Sequence, residues 1–405
     1  MHLITLAIAT AALAGPLGPP AGPIAPTPGP EPRIAINATN TPGDADSIFR
    51  IDRAGSYYLE ANVLGVVGKA GIEVAANNVV IDLMGFNLTG VAGSLSGLRT
   101  DGLHDNITVR NGTLTKWGDS GIDFSSGGLT VGYLIEDVHS SRNGAGGIVV
   151  GRAARIRDCV ANSNGMNGIQ AEGDAVISGC TAQANQAGIV SGNRSTITGC
   201  NATDHPNVGI IVSNDSVVEA CCSTNNLAGI LGSARTIVRG CTANFNTDSG
   251  INVQSNCRIV DCVTSTNFGD GIVVAFSSTV LNCTSNANAG NGIEIVGADA
   301  RVIGNSCFGN GAGAGDGAGI VAGGSDTRIE DNHCNDNDRG IEVTSSGGII
   351  YRNTCAANTT NWVIAANNIY GPIINRVGAA TAAVNGSGSV ASTLGSTDAN
   401  ANFSY

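Results

Sequence analysis

The chain has 405 residues, a formal net charge of −12, 13% charged residues, 4% aromatics and 58 glycines. Neutralising phosphates takes lysine and arginine, and the only lysines are Lys69 and Lys116, so nucleic acid is not an expected partner. A hydrophobic share of 42% excludes a disordered chain, and the scarcity of charge excludes a charged helical rod.

Residues 3–14 (LITLAIATAALA) are a short apolar run ending in a small-residue site, which reads as a secretory signal peptide over 1–14. The run is too short to cross a bilayer, and no later segment reads as a span. The expectation is a secreted, periplasmic or cell-surface protein without membrane insertion. Residues 15–47 read as a Pro/Gly-rich linker and approach segment. Residues 48–60 concentrate Phe49, Tyr57 and Tyr58 in a chain poor in aromatics, and read as an N-terminal cap.

From there an internal repeat governs the chain. Gly-Ile recurs at Gly121, Gly147, Gly168, Gly188, Gly209, Gly229, Gly250, Gly271, Gly292, Gly319 and Gly340, mostly in steps of about 20 residues, with echoes at Gly71 and Gly97. Cysteines follow almost the same steps from Cys159 to Cys355, and an Asn-rich turn such as Asn162-Ser163-Asn164 separates the two columns. Apolar and polar residues alternate at period two around each Gly-Ile, as in Ile148/Val150 and Ile251/Val253, which is a strand signature. Some twenty residues hold two or three short strands and their turns. Such coils bury their apolar side by stacking about 4.8 Å apart. The expectation is an all-β solenoid, a parallel β-helix of about 13 coils over 48–365 with capped ends, Trp362 near the far end and an irregular tail over 366–405.

The unit x-Ile-x-x-Cys-x-Ala-x-x-Asn…Gly-Ile-x-Val resembles the right-handed parallel β-helix repeats of the pectin-lyase-like superfamily, in particular uncharacterised secreted bacterial members. It covers about residues 60–365. The resemblance implies the fold and leaves the activity open, because lyases, hydrolases, epimerases and non-catalytic proteins share the repeat. The complete Asn-Thr-Asp, Gly-His-Gly and Arg-Ile-Lys set of the β-helix galacturonases is absent, as is the Asp-Pro-His-Glu of the alginate epimerases. The cysteine ladder reads as a stack of buried free thiols rather than disulfides or a metal site, with Cys222 and Cys257 off the column. No metal or other cofactor is expected, calcium excepted if the protein is a lyase; Gly313–Gly317 is a faint calcium-turn candidate.

If each Ile points inward, the residue after it points out. That column reads Asp123, Val149, Gln170, Val190, Ile211, Leu231, Asn252, Val273, Glu294, Val321 and Glu342, too apolar for a plain solvated face. It suggests a covered surface or a homo-oligomer interface. Chemistry, if any, is densest over residues 99–142. There Asp119, Asp123, His139 and Arg142 are the candidate catalytic set, and Trp117, Lys116 and Tyr133 the candidate substrate-binding set. The same stretch holds Arg99, Asp101, His104, Asp105, Arg110, Glu136 and Asp137. A second cluster runs from Asp326 to Glu342 with Arg328, Glu330, Asp331, His333 and Arg339, and Glu294 and Glu342 share the outward column two coils apart. The expected role is polysaccharide binding or extracellular structural assembly, with a lyase or hydrolase of acidic glycan as the alternative.

Overall fold

A computed structural model of the chain describes residues 33–125, 131–311, 317–375 and 397–405. The signal-peptide stretch, residues 15–32 and most of the Gly313–Gly317 turn lie outside them. The described residues form 45 strands and no helix, so none is long and apolar enough to cross a membrane as a helix.

One coil shows how the repeat folds. Val160–Asn162 turns at Ser163 into Asn167–Ala171, turns at Asp174 into Val176–Ser178, and turns at Gly179 into Thr181–Gln183. The three corner residues have φ of 55°, 63° and 61°. Left-handed backbone costs most residues about 1–2 kcal/mol and costs Gly, Asn and Asp least, which is why those types recur at the corners. Each strand pairs in parallel with its counterpart one coil away, giving three faces. The Gly-Ile face is one ladder of 15 strands from Ser47–Ile51 to Thr360–Ile364. The other two, an arginine face through Arg155–Arg157 and an amide-hydroxyl face through Val160–Asn162, join where Ile107–Thr115 and Leu134–Ser141 run unbroken around a corner. The stack has about 16 turns rather than 13. Its extra coils lie at the ends, where the Gly-Ile and Cys signatures fade.

The Gly-Ile column has a steric origin. A Cβ on Gly271 would stand 2.6 Å from the Gly292 carbonyl oxygen and 1.9 Å from Ser285 Oγ, so only glycine lets neighbouring coils approach at this corner. Behind it Ile148, Ile169, Ile189 and their successors are fully buried, stacked on one another along the axis.

The asparagines of the turn after the amide-hydroxyl face form a buried amide ladder. Asn143 Nδ2 donates to Asn164 Oδ1 (2.9 Å), Asn164 to Asn185 (2.9 Å), Asn226 to Asn246 (3.2 Å) and Asn246 to Asn267 (2.9 Å), continuing to Asn358. From Asn164 onward each Nδ2 also reaches a carbonyl of the preceding coil, as Asn185 does with Ala161 (2.9 Å). His205 takes one slot. Its Nδ1 accepts from Asn185 N–H (3.1 Å) and its Nε2 donates to the Ala182 carbonyl (3.2 Å), an arrangement for neutral imidazole. Burial holds His205 below its ordinary 6.5. As pH falls through 6.5 the unfolded chain takes a proton that the folded one refuses, so stability declines below that point. His205→Asn should remove this acid sensitivity and raise the melting temperature below about pH 6; parallel melting curves for variant and parent would contradict it.

All twelve cysteines are free. The ten read as one column divide into two. Seven, Cys159 to Cys283, sit at the corner entering the amide-hydroxyl face, and Cys159 and its neighbour one coil away bond back to carbonyls of the coil below. Asn305, Asn332 and Asn353 then take over that corner, Asn305 accepting from Cys283 N–H (2.8 Å). Cys307, Cys334 and Cys355 lie two residues further on, in register with Ser285 at the inward position of the strand. The thiol of Cys159 beside it, with burial, pushes Cys180 up to about 12, so this thiol is inert at neutral pH.

The ends also differ from expectation. Residues 48–60 are strands of the first coils, not a cover, and Ile34–Ile36, read as part of an approach segment, pairs outside Gly55–Leu59 as a further rung. Residues 366–405 are not wholly irregular. Asn402–Ser404 inserts as a rung between Thr354–Ala356 and Ile373–Asn375. Asn402 is fully buried and its Oδ1 accepts from Asn353 N–H (3.0 Å), extending the second amide ladder.

Candidate functional site

The 99–142 cluster is split by the coil over all three faces. Arg99, Asp119 and Asp123 lie on the Gly-Ile face, with Asp123 beside Arg99 in the ladder. Arg110 and Glu136 stand on the arginine face, where Arg110 pairs with Asp82 (3.2 Å) and Glu136 with Arg157. His139 is exposed on the amide-hydroxyl face, while Arg142 and Lys116 are exposed at its left-handed corners. The four candidate catalytic residues therefore do not converge: Asp119 and Asp123 meet, and His139 and Arg142 are on a different face.

Trp117 and Tyr133, read as a sugar platform, are core residues with 1% exposure each. Both occupy corner positions that point into the coil. Trp117 fills the first slot of the amide ladder, its backbone N–H donating to Asn143 Oδ1 (3.0 Å) and its Nε1 to the Leu88 carbonyl (3.1 Å). Tyr133 precedes its strand as Ala154 does one coil on, stacks on Phe124 at 5.6 Å and donates its hydroxyl to the His104 carbonyl (2.9 Å). The second cluster divides in the same way: Arg328 and Glu330 on the arginine face, His333 on the amide-hydroxyl face, Arg339 and Glu342 paired with each other on the Gly-Ile face (2.7 Å).

Where Asp119 and Asp123 meet, a cavity of about 240 Å³ is lined by Ser96, Arg99, Thr100, Asp119, Asp123 and Ser125 with Leu95. Asp119 accepts from Ser96 Oγ (3.0 Å), and Asp123 from Ser125 N–H (3.0 Å) and Oγ (2.6 Å). Extending the outward column back through Gly97 and Gly71 gives Arg99, Glu73 and Arg50, consecutive rungs of opposite charge. The Glu73 side chain, 2% exposed, receives Arg50 on one oxygen and Arg99 on the other. Arg50 also pairs with Asp44 and Asp101, Arg99 with Asp46, and His104 Nε2 lies 2.7 Å from Asp101. Two guanidiniums satisfy a carboxylate that would be prohibitive to bury alone. The oxygens of Asp44, Asp46 and Glu73 come within 4.8 Å of one another. They are already engaged by Arg50, Arg99 and Ser47, a donor set that suits guanidinium rather than the six to eight oxygens calcium needs. Sequence reading began the column at Asp123 and so missed Arg50 and Glu73; following the two early Gly echoes would have found them.

Further along the same face Glu294 does not approach Glu342, since Val321 separates them in the ladder. Its partner is Asp270, which precedes Gly271 one coil earlier. Burial, with the Asp270 carboxylate beside it, pushes Glu294 from its ordinary 4.5 up to about 7.

The profile of the family described as right handed beta helix region matches residues 70–226 and 216–308. The chain belongs to the right-handed β-helix family. Among solved structures it is similar to the mannuronan C-5 epimerase AlgE4 A-module of Azotobacter vinelandii, at 16% identity over 73% of this chain and 90% of that one, with a TM-score of 0.46. The periplasmic alginate epimerase AlgG (16%, 70% and 76%, 0.43) and the Dettilon tailspike protein gp208 (16%, 75% and 61%, 0.39) are also similar. No curated protein matches the sequence.

In this β-helix protein the Glu294–Asp270 pair has a measurable consequence. The folded chain keeps a proton on Glu294 that the unfolded chain releases near 4.5, so the pair favours folding at acid pH, and stability falls as pH rises from about 4.5 to about 7. Glu294→Gln keeps a neutral partner for Asp270. It should melt with the parent near pH 4.5 and above it near pH 8; an equal offset at both pH values would refute the pairing.

Proposed function

We propose that this is an extracytoplasmic polysaccharide-binding β-helix protein that holds its glycan on the Gly-Ile face. The observation that supports the reading is the cavity of Arg99, Asp119 and Asp123 with the hydroxyls of Ser96, Thr100 and Ser125. Sugar hydroxyls both donate and accept, and this lining offers a guanidinium donor, two carboxylate acceptors and three groups that do either. Its carboxylates are held by serine donors, and among the described residues its lining contains no histidine, lysine or tyrosine to supply a second kind of acid or base. Beyond it the outward column of half-buried Val149, Val190 and Ile211 gives an extended polymer an apolar track to lie on. The apolar run over residues 3–14, with its resemblance to a secretory signal, supports the extracytoplasmic part of this reading.

The test is retention on an immobilised panel of pectins, alginates, sulfated glycans and neutral glucans. The parent should be retained by at least one polymer, and the Asp119→Asn, Asp123→Asn double variant should not. Absence of retention on every polymer, or equal retention of the variant, overturns the reading. A second reading, hydrolysis, has its own observation: Glu294 is a carboxyl kept protonated to about 7 beside a carboxylate, the state a general acid requires. It predicts new reducing ends that disappear in Glu294→Gln.

A further inference from the structure

The insertion of the C-terminal strand builds a second cavity, of about 460 Å³, on the arginine face near the end of the stack. One side carries Ile349, Ile369 and Tyr370, which are 45%, 72% and 53% exposed. Arg328 stands on the same face, and Asp398 and Asn400 close the opposite side. This wall is fixed. Asn400 N–H donates to Asp398 Oδ1 (2.8 Å), the Asn400 carbonyl accepts from Arg352 N–H (3.4 Å), and a Cβ on Gly371 would stand 1.9 Å from that carbonyl oxygen. The Arg328 side is fixed as well. Glu330, buried at the other end of the Arg328 strand, accepts from Arg328 (2.9 Å) and from the Tyr351 hydroxyl, while Arg328 and Arg352 lie 5.1 Å and 4.8 Å from the Tyr351 ring centre.

Large apolar side chains left half-exposed beside converging charged and amide groups mark a ligand site rather than a solvated face. The charges decide which ligand. Arg328 is matched by Glu330 and Arg352 by Asp331 (2.6 Å), while Asp398 adds a carboxylate, so the cavity has no uncompensated cation to draw an anion. A neutral ring with one C–H face and a rim of hydroxyls fits this arrangement: the C–H face on Tyr370 and Ile369, the hydroxyls to Asp398, Asn400 and Arg328. We propose that this cavity binds one neutral pyranose ring, a saccharide site separate from the Gly-Ile face. It extends the polysaccharide-binding reading but has different residues and a different ligand size, so either can fail alone.

The test is ligand-observed NMR of the full chain with the methyl glycosides of glucose, galactose, mannose and N-acetylglucosamine. At least one should bind, and Tyr370→Ala, which removes a half-exposed side chain, should weaken it roughly tenfold. Asp398→Asn should weaken it too, while the Asp119→Asn, Asp123→Asn double variant leaves it unchanged. Circular dichroism checks that each variant is folded. No binding by any glycoside, or binding indifferent to Tyr370→Ala, overturns the proposal; loss in the double variant alone assigns the sugar to the Gly-Ile face and overturns it equally.

Discussion

Replacing Asn246 by leucine should destabilise the protein by roughly 3–5 kcal/mol, a large part of the 5–15 kcal/mol of an ordinary domain. Asn246 is fully buried. Its Oδ1 accepts from both the backbone N–H (3.0 Å) and the Nδ2 (3.2 Å) of Asn226, and its Nδ2 donates to the Ser223 carbonyl (3.3 Å) and to Asn267 (2.9 Å). Leucine has similar bulk and makes none of these bonds, so the Asn226 N–H and the Ser223 carbonyl lose their side-chain partner out of reach of water, at about 1–3 kcal/mol each. Asn244, two residues earlier at the outward-facing end of the strand before this turn, is the control: Asn244→Ala should cost less than about 1 kcal/mol. Urea unfolding of both variants decides the matter, and a small loss for Asn246→Leu would mean that the amide ladder does not hold the turns. Because each coil contacts only its neighbours, the loss should centre on the coils flanking residue 246.

Removing residues 397–405 should unravel the last two coils and leave the rest intact. The excised strand contributes Phe403 N–H to the Asn353 carbonyl (2.9 Å), Tyr405 N–H to the Cys355 carbonyl (3.1 Å) and its own Tyr405 carbonyl to Ala357 N–H (2.9 Å). It is also the ladder partner of Ile373–Asn375. Asn353 N–H would lose its acceptor, Asn402 Oδ1, while its Nδ2 would keep only the Ile329 and Tyr351 carbonyls. Hydrogen exchange should therefore accelerate at least about tenfold over residues 354–375 and stay unchanged over 150–300, as expected when opening spreads from one end of a solenoid. Unchanged exchange near Thr354–Ala356 would show the strand to be an accessory. The pyranose site should disappear in the same variant, since Asp398 and Asn400 go with it.

The repeat was legible because each of its signatures answers a local demand. Glycine precedes isoleucine where a Cβ would strike the next coil's carbonyl, isoleucine follows because it points into the axis, and Gly, Asn or Asp sits at many of the corners where φ is positive. These demands recur every coil, so composition and spacing reveal them. The cysteine column misled where the demand was met differently: Asn305 fills the corner that Cys283 fills one coil earlier, and Cys307 stands two residues on at an inward position that any small residue fits. At the candidate site the residue types were the right ones to look at, but sequence proximity does not give the face. Lys116 and Trp117 are adjacent in the chain, yet Trp117 is inside the coil and Lys116 on its surface.

The sequence by itself determined the coil, its period, which residues of the Gly-Ile strands point inward, and the outward column from Asp123 to Glu342, all consequences of contacts within a coil or between adjacent ones. Only the tertiary structure decided which charges meet. Arg50, Glu73 and Arg99 are joined across consecutive rungs, Asp270 reaches Glu294 from the coil before, and Asn402 reaches Asn353 across a long stretch of chain. Stacking brings together residues one turn apart whatever lies between them, so such partners are set by how many residues each turn consumes, a quantity that varies at the corners and at both ends of the stack.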